Sequence, residues 1–309
     1  MSGRTARRSL FVLLCASALA HAQVTFTGTT SDDAFLATGS PSNPGGTNLT
    51  ALNFGKGGLL AVAPAASASG EFQTVLKFNL SGAANLFNAS YDTGWTISGI
   101  TIELASNFGT AGSQPDNSIF NPVSGGRFVI EWMADDDWVE GTGRPNSPTS
   151  DGVTYNSLSN LLAAAHEILS TNNYSPPGNN VHVTWPLPLK EGLEHDIAAG
   201  HAVSFRLYAA DDQINYLFNS HNFGNGNEPL LHVTAVPLLK IRSGGFTNRF
   251  FHLVGFGATN TSFSVQASAD LSTTNWQTLG TTIADDTGAI QFDDITATNQ
   301  SQRFYRLAR

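Results

Sequence analysis

The stretch Gly99-Ile100-Thr101-Ile102-Glu103-Leu104 (GITIEL) alternates large aliphatic and polar side chains without interruption. A period of two puts Ile100, Ile102 and Leu104 on one face and Thr101 and Glu103 on the other, as in a half-buried antiparallel strand. Val203, Phe205 and Leu207 against Ser204 and Arg206 repeat the pattern, and Leu231, Val233 and Ala235 against His232 and Thr234 repeat it again. Further strands are predicted at Val24–Gly28, Ala34–Leu36, Leu49–Phe54, Phe72–Leu80, Phe128–Met133, Val181–Leu187 and Ile214–Asn219. Gly39–Asn48 is nearly pure turn chemistry. Many short strands with irregular, turn-rich connections predict an all-β, antiparallel β-sandwich of jelly-roll-like form.

One helix is expected within it. Ser157 is placed to cap it, and Leu158, Leu161, Leu162, Ala165, Ile168 and Leu169 recur at helical spacing before Thr171–Asn180 ends it. Its apolar stripe suits a plug for an open end of the sandwich.

The strand pattern pauses near Val236-Pro237, and Arg242–Asn248 (RSGGFTN) reads as loop. Strands resume at Phe250–Phe256, Phe263–Ala267, Trp276–Ile283, Ala289–Phe292 and Arg303–Leu307, enough for a small Ig- or fibronectin-like sandwich. The expected organisation is a leader at 1–22, a large sandwich at 23–236 and a small module at 237–309. The leader rests on the basic Arg4, Arg7 and Arg8, the short apolar run Leu10–Leu19 and the small-x-small Ala20-His21-Ala22. That run is too short to span a bilayer, so the protein is expected to be secreted or held at the cell surface without a membrane span.

Cys15 in the leader is the only cysteine, which excludes disulfides, thiolate metal sites and a cysteine nucleophile from the remainder. Of 15 basic and 24 acidic residues, residues 23–236 hold 6 and 19, a net charge of −13, and residues 237–309 hold 6 and 5. An acidic large domain argues against nucleic acid or anionic lipid as its main partner. The charged fraction is low at 13%, a composition common in exported all-β proteins.

Trp132–Asn156 (WMADDDWVEGTGRPNSPTSDGVTYN) gathers acids and rings and is the first site candidate. Calcium takes six to eight oxygens, and Asp135, Asp137 and Asp212 stand where strands end or begin, as do Asp32-Asp33, so calcium is the cofactor considered. The competing reading is that these aspartates cap turns and discourage edge pairing. Sugar binding needs an exposed flat ring beside planar polar groups. Trp138 and Tyr155, with Asp136 and Arg144, are the candidates, with Tyr216 a further ring, whereas Trp132 and Trp185 read as buried. A Trp138 that pins its own turn is the alternative. The cluster Glu194-His195-Asp196…His201 (EHDIAAGH) reads either as a metal or acid–base site or as a solvated turn before the strand at Val203. There is no G-x-S-x-G, no H-E-x-x-H and no phosphate-binding glycine loop. Acids are plentiful, but no pair stands out as a glycosidase or lyase dyad.

Several segments together resemble a known family. Asp33-Ala34-Phe35 with the following turn and Leu49–Gly55, then Thr74–Ser81, Ile97–Leu104, Asp136–Gly141, and Phe218-Asn219-Ser220…Glu228–Val233 resemble the ordered motifs of DNRLRE-type domains, related to carbohydrate-binding module family 96. Asp151–Tyr155 and Ala209–Gly226 look closer to a variant in exported proteins of planctomycete- or verrucomicrobium-type bacteria. Phe263–Leu271, Asn275–Gly280 and Arg303–Leu307 resemble a small C-terminal module of similar proteins, with Trp276 entering its core. The resemblance implies an extracellular, non-catalytic sandwich that binds acidic polysaccharide or accompanies polysaccharide-degrading enzymes. It carries over no binding residue, and the net charge of −13 departs from what a polyuronate binder needs. The expected function is a non-catalytic carbohydrate-binding or matrix-associated module, with polysaccharide or a cell-envelope component as partner. The alternatives are a structural or adhesive surface protein and, third, a polysaccharide lyase or hydrolase.

Overall fold

The structure, a computed structural model, describes residues 23–40, 48–91, 94–107, 120, 125–175, 178–247, 250–271, 275–299 and 302–308. The expected leader and most of the Gly39–Asn48 turn lie outside these residues. The chain divides into two compact units that meet in sequence at Val236-Pro237.

The strands of the larger unit are β1 (Val24–Ala37), β2 (Leu59–Val62), β3 (Phe72–Phe78), β4 (Trp95–Ala105), β5 (Gly126–Met133), β6 (His166–Tyr174), β7 (His182–Leu187), β8 (Val203–Ala209), β9 (Tyr216–Asn219) and β10 (Leu230–Pro237). Its helices are α1 (Ala83–Ser90), α2 (Leu158–Leu161) and α3 (Glu191–Ala199). Eight strands form one antiparallel sheet in the order β6-β5-β8-β3-β1-β10-β4-β7, and β2 pairs with β9.

β1 organises this unit, and it is one strand where two were expected. Val24–Thr29 pairs with β10, Thr30–Ala37 pairs with β3, and the register slips between Thr30 and Asp32. The extra residue of a bulge bends a strand and raises its local twist, so β1 serves two sheet halves that face each other. Between them lies one core: Ile100, Ile102 and Leu104 from β4, Leu231 and Val233 from β10, Phe128 and Ile130 from β5, Leu76 and Phe78 from β3, and Phe205 and Leu207 from β8. The alternations read from sequence point inward as expected, and the unit is an antiparallel β-sandwich.

The helices differ from expectation. The apolar spacing after Ser157 covers two unrelated clusters. Leu158 and Leu161 bury on the outer face of the sheet, Leu169 buries in the main core, and Ile168 is exposed. The chain therefore leaves the helix after one turn and runs along β5 as β6, with Met133 opposite His166. Ser157 does not cap α2; its hydroxyl exchanges hydrogen bonds with the backbone of Thr154, both at 2.8 Å. The EHDIAAGH stretch is helical, as α3. It buries Leu193 and Ile197 and ends at Gly200, whose φ of 72° is the left-handed stop that glycine favours. Leu49–Phe54 is turn rather than strand, with Asn53 in a single bridge to Thr149.

The smaller unit holds β11 (Lys240–Thr247), β12 (Phe250–Phe256), β13 (Ser262–Ser268), β14 (Gln277–Ile283), β15 (Ala289–Asp294) and β16 (Phe304–Ala308). Two three-stranded antiparallel sheets, β11-β12-β15 and β14-β13-β16, enclose a core of Phe263, Ala284 and Ile290 with Leu239, Ala258 and Leu307. The stretch read as loop at Arg242–Asn248 is mostly the edge strand β11. Trp276 is half-buried under the Arg306 guanidinium at 4.4 Å instead of in the core.

Asp294 holds one end of this unit. Its buried carboxylate accepts from the Thr296 backbone and hydroxyl at 2.8 and 2.7 Å, from Tyr305 at 2.9 Å, and from Arg303. Burial opposes its ionisation, but these donors prevail and hold the carboxyl below its ordinary pKa. A depressed carboxylate stabilises above the unfolded pKa and loses that contribution as pH falls through the folded one. Asp294→Ala is expected to destabilise this unit by about 3 kcal/mol in urea unfolding near neutral pH, because Arg303 is left without its partner. The difference from wild type is expected to shrink in acid.

Candidate functional site

Four segments distant in sequence meet at a buried polar cluster. β1 supplies Asp33, the turn after Phe54 supplies Lys56, the connection after β5 supplies Glu140, and the 3₁₀ turn His221–Phe223 after β9 supplies His221. Asp33 is fully buried and Glu140 nearly so. The Asp33 carboxylate accepts from Ser220 Oγ at 2.6 Å and His221 N–H at 2.8 Å. Glu140 Oε1 accepts from Asn222 Nδ2 at 2.6 Å and lies 3.4 Å from the Asp33 N–H, while Oε2 pairs with Lys56. The His221 ring stands between the acids, with Nδ1 3.1 Å from Asp33 Oδ2 and Nε2 3.3 Å from Glu140 Oε1.

Asn53 positions the loop that carries Glu140. It is fully buried, donates to the carbonyls of Glu140 and Val153 at 2.7 Å each, and accepts from Gly55 and Gly143 at 3.1 and 2.9 Å. Gly55 is required by that approach: a Cβ there would meet the Glu140 carbonyl oxygen at 2.1 Å. Gly141 is required twice over, by a φ of 84° and by Asn53 Oδ1 at 2.4 Å from any Cβ.

Asp33, Glu140 and His221 each bring a possible ligand atom within 4.8 Å of the others, the one such group of three among the described residues. This group could hold a metal ion, yet its charges are already matched. Lys56 and the His221 ring stand against the two carboxylates. The hydrogen bond to Asp33 is the main cause that raises the His221 pKa; burial opposes it, and the charges of Asp33 and Glu140 add to it. Buried ions persist where they are paired and hydrogen-bonded; both carboxylates are, while the His221 ring is held by the two ion-pair approaches, its Nδ1 lacking a well-aligned hydrogen bond among the described residues.

The connection that carries Glu140 also covers the outer face of the sheet. Trp138 is 6% exposed and packs with Ala34, Leu36, Val75, Met133, Val153, Leu158 and Leu161. Its indole N–H donates to Ser204 Oγ at 2.9 Å, its carbonyl accepts from Lys77 Nζ at 2.5 Å, and the same ammonium lies 4.6 Å above the ring. Trp138 is thus an anchor, and the platform reading is corrected: the apolar outer face of β3 and β5 claims the ring. An open depression of about 350 Å³ lies beside it, with Trp138, Val153 and Leu161 in its lining and Asp135, Asp137, Val139, Gly152, Ser157 and Asn160 around them.

The other expected residues are dispersed. Tyr155 is half-buried and donates to Glu71 Oε2 at 2.6 Å; burial first, then Glu71, pushes its hydroxyl up to about 12. Arg144 is exposed at the Arg144–Ser147 turn. Asp136 is half-buried and turned toward Ser204. Tyr216 is fully buried. Asp135, Asp137 and Asp212 are not brought together as a ligand group among the described residues. Asp135 Oδ1 caps the Asp137 N–H at 3.0 Å, Asp137 and Asp212 are exposed, and Asp212 follows β8. Asp32-Asp33 lies inside β1 instead of at a strand end. A larger depression of about 540 Å³ lies at Gly125–Arg127, Asn173–Ser175 and Asp211, and its Arg127–Asp211 pair is self-satisfied at 3.1 Å.

Glu140 lies in the acidic stretch Trp132–Asn156, the first site candidate, whereas Lys56, Asn53, Ser220 and His221 stand outside every candidate site read from the sequence. Asn53, Glu140 and Ser220 also lie within the segments that carry the family resemblance. Their signal is the recurrence of small and polar residues where a strand would otherwise continue.

No family model matches the chain, and no curated protein matches it. Among solved structures, a Lactobacillus rhamnosus β-glucuronidase aligns with 88% of this chain at 8% identity and a TM-score of 0.24. The aligned region is 39% of that protein's chain. A likeness this low carries no argument about fold or activity.

Asn53→Ala strands several buried backbone groups at once and is expected to cost about 3 kcal/mol or more in chemical denaturation. Because the folded-state pKa of His221 is raised, its contribution is fully present below the unfolded value of 6.5 and is lost as pH rises through the folded value. In a series of melting curves, His221→Ala is expected to remove that alkaline decline, leaving the variant's stability flatter than wild type across that range.

Proposed function

We propose that residues 23–236 form a non-catalytic carbohydrate-binding module of an exported protein. The depression beside Trp138 carries this reading. Carboxylates at Asp135 and Asp137 and the amide of Asn160 line it together with the exposed side chain of Val139 and the edges of the buried Trp138, Val153 and Leu161, a mixture of polar and apolar groups that suits a sugar's hydroxyls and C–H groups. Tyr155 and Arg144 fall outside that lining, so the proposed contacts are Asp135, Asp137 and Asn160. The acidic rim favours neutral or amine-bearing glycans over polyuronates.

One arrangement supports the non-catalytic part. In the Asp33–Glu140 pair each carboxylate is held by internal donors and matched by an internal cation. That use of the oxygens also argues against calcium at this group, since calcium needs oxygens free to coordinate and an imidazole is a poor ligand for it. Chelation is accordingly expected to leave the melting temperature unchanged.

Affinity electrophoresis against a panel of neutral, amino and acidic polysaccharides tests the reading. Retardation by a neutral or amine-bearing glycan is expected, weakened about tenfold by Asp137→Ala, a loss on the order of 1.4 kcal/mol. Mobility unchanged across the whole panel would reject it and favour a protein or envelope partner. Turnover of any of these polysaccharides would reject the non-catalytic part.

A further inference from the structure

Asp136 and Asp196 each turn one fully buried carboxyl oxygen, Oδ1 and Oδ2 respectively, toward surroundings that offer it no hydrogen-bond donor. The first sits on the connection that lines the depression, the second on α3. Two acceptor-only groups buried in this way leave a place for a proton, which a neutral carboxyl supplies and a carboxylate cannot.

We propose that Asp136 keeps its proton in acid, and that this proton keeps the Asp135–Glu140 loop seated on the sheet. The loop is then a pH-operated element that loosens when Asp136 ionises.

The surroundings from each packed element agree. From β8, Ser204 accepts the Trp138 indole N–H at 2.9 Å, which leaves its own proton for Asp136, so the seat of Trp138 and the state of Asp136 share one hydroxyl. From β3, Lys77 is the nearest cation, but its ammonium is engaged by the Trp138 carbonyl at 2.5 Å and by Asp32 of β1 at 3.4 Å. From the loop itself, Asp135 adds a like charge. On α3 and just after it, His195 and His201 approach Asp196 Oδ1 at 3.6 and 3.7 Å. These exposed histidines do not reach its inward oxygen. Burial above all, with the charges of Asp196 and Asp135 and against Ser204 and Lys77, pushes Asp136 up to about 6.

The sign follows from that direction. A folded pKa raised above the unfolded 3.8 gives stability that is complete below 3.8 and is lost as pH rises through about 6. This window lies below the one set by His221. In acid the proton on Asp136 removes the cost of a buried carboxylate oxygen that has no donor. Once it ionises, that oxygen carries charge without a donor, beside the charges of Asp196 and Asp135, and seating the loop costs more.

Asp136 lies between Asp135 and Asp137 of the depression, so ligand affinity there should fall over the same pH range. This last consequence alone rests on the carbohydrate reading above.

Hydrogen exchange on the full chain, expressed as protection factors to remove intrinsic pH dependence, tests the device without any ligand. Amides of Asp137–Glu140 are expected to lose about tenfold in protection between about pH 5 and about pH 8 in wild type. Asp136→Asn keeps the shape but cannot ionise, and it is expected to show less than about a twofold change over that range. Asp196→Asn removes a charge that raises Asp136 and is expected to move the wild-type transition to lower pH. Equal protection at both pH values in wild type would overturn the proposal, as would a full wild-type pH response in Asp136→Asn. Retardation in gels containing hydroxyethyl cellulose or glycol chitosan, run at both pH values, gives the second arm. Absence of binding at either pH counts against the carbohydrate reading, while the exchange result stands or falls by itself.

Discussion

A carboxylate buried inside a continuous strand constrains this protein more than any other single feature. Asp33 occupies the second half of β1, just past the bulge at Ser31, with no exposure to solvent. An ion in that position is tolerated only with partners. Ser220, the His221 backbone and the His221 ring supply them from a segment almost two hundred residues away. Glu140 and Lys56 close the set. Meeting this one demand ties the first long strand to the last loops of the sandwich, which is the closure that its topology needs.

The same cluster fixes the connection after β5. Once Asn53 has captured the Glu140 and Val153 carbonyls, the chain between them must lie across the outer face of the sheet. Trp138 is the side chain it lays down there, over Ala34, Val75 and Met133. An acidic, aromatic loop becomes a second, smaller core with a depression at its edge. Its acids divide accordingly: Glu140 enters the cluster, Asp136 turns toward Ser204, and Asp135 and Asp137 stay at the rim.

Much of the fold was legible because strand periodicity reports burial directly. Ile100–Leu104, Val203–Leu207 and Leu231–Ala235 each face the core as their alternation requires. Spacing misleads where two cores share one stretch of chain. Leu158 and Leu161 serve the outer cluster and Leu169 the main core, so a helical pattern spans a turn of helix, a bend and a strand. Length is a second limit: β1 reads as two strands because the bulge interrupts its pattern, although the backbone continues. The site was legible only in composition. Trp138 and the aspartates beside it were visible as a group, but which of them are buried depends on Asn53 and Ser204, which approach from other elements. His221 carried no local signal, since its two partners come from β1 and the connection after β5.

At the centre of this account is the claim that the Asp33–Glu140–His221 group is closed by the protein's own cations. The most direct measurement is ¹⁵N NMR of the His221 ring near neutral pH, assigned by His221→Gln and recorded with and without added divalent metal. Both ring nitrogens are expected to show the shifts of a protonated imidazolium, unaltered by metal. A neutral single tautomer, or a metal-dependent shift of either nitrogen, would contradict it.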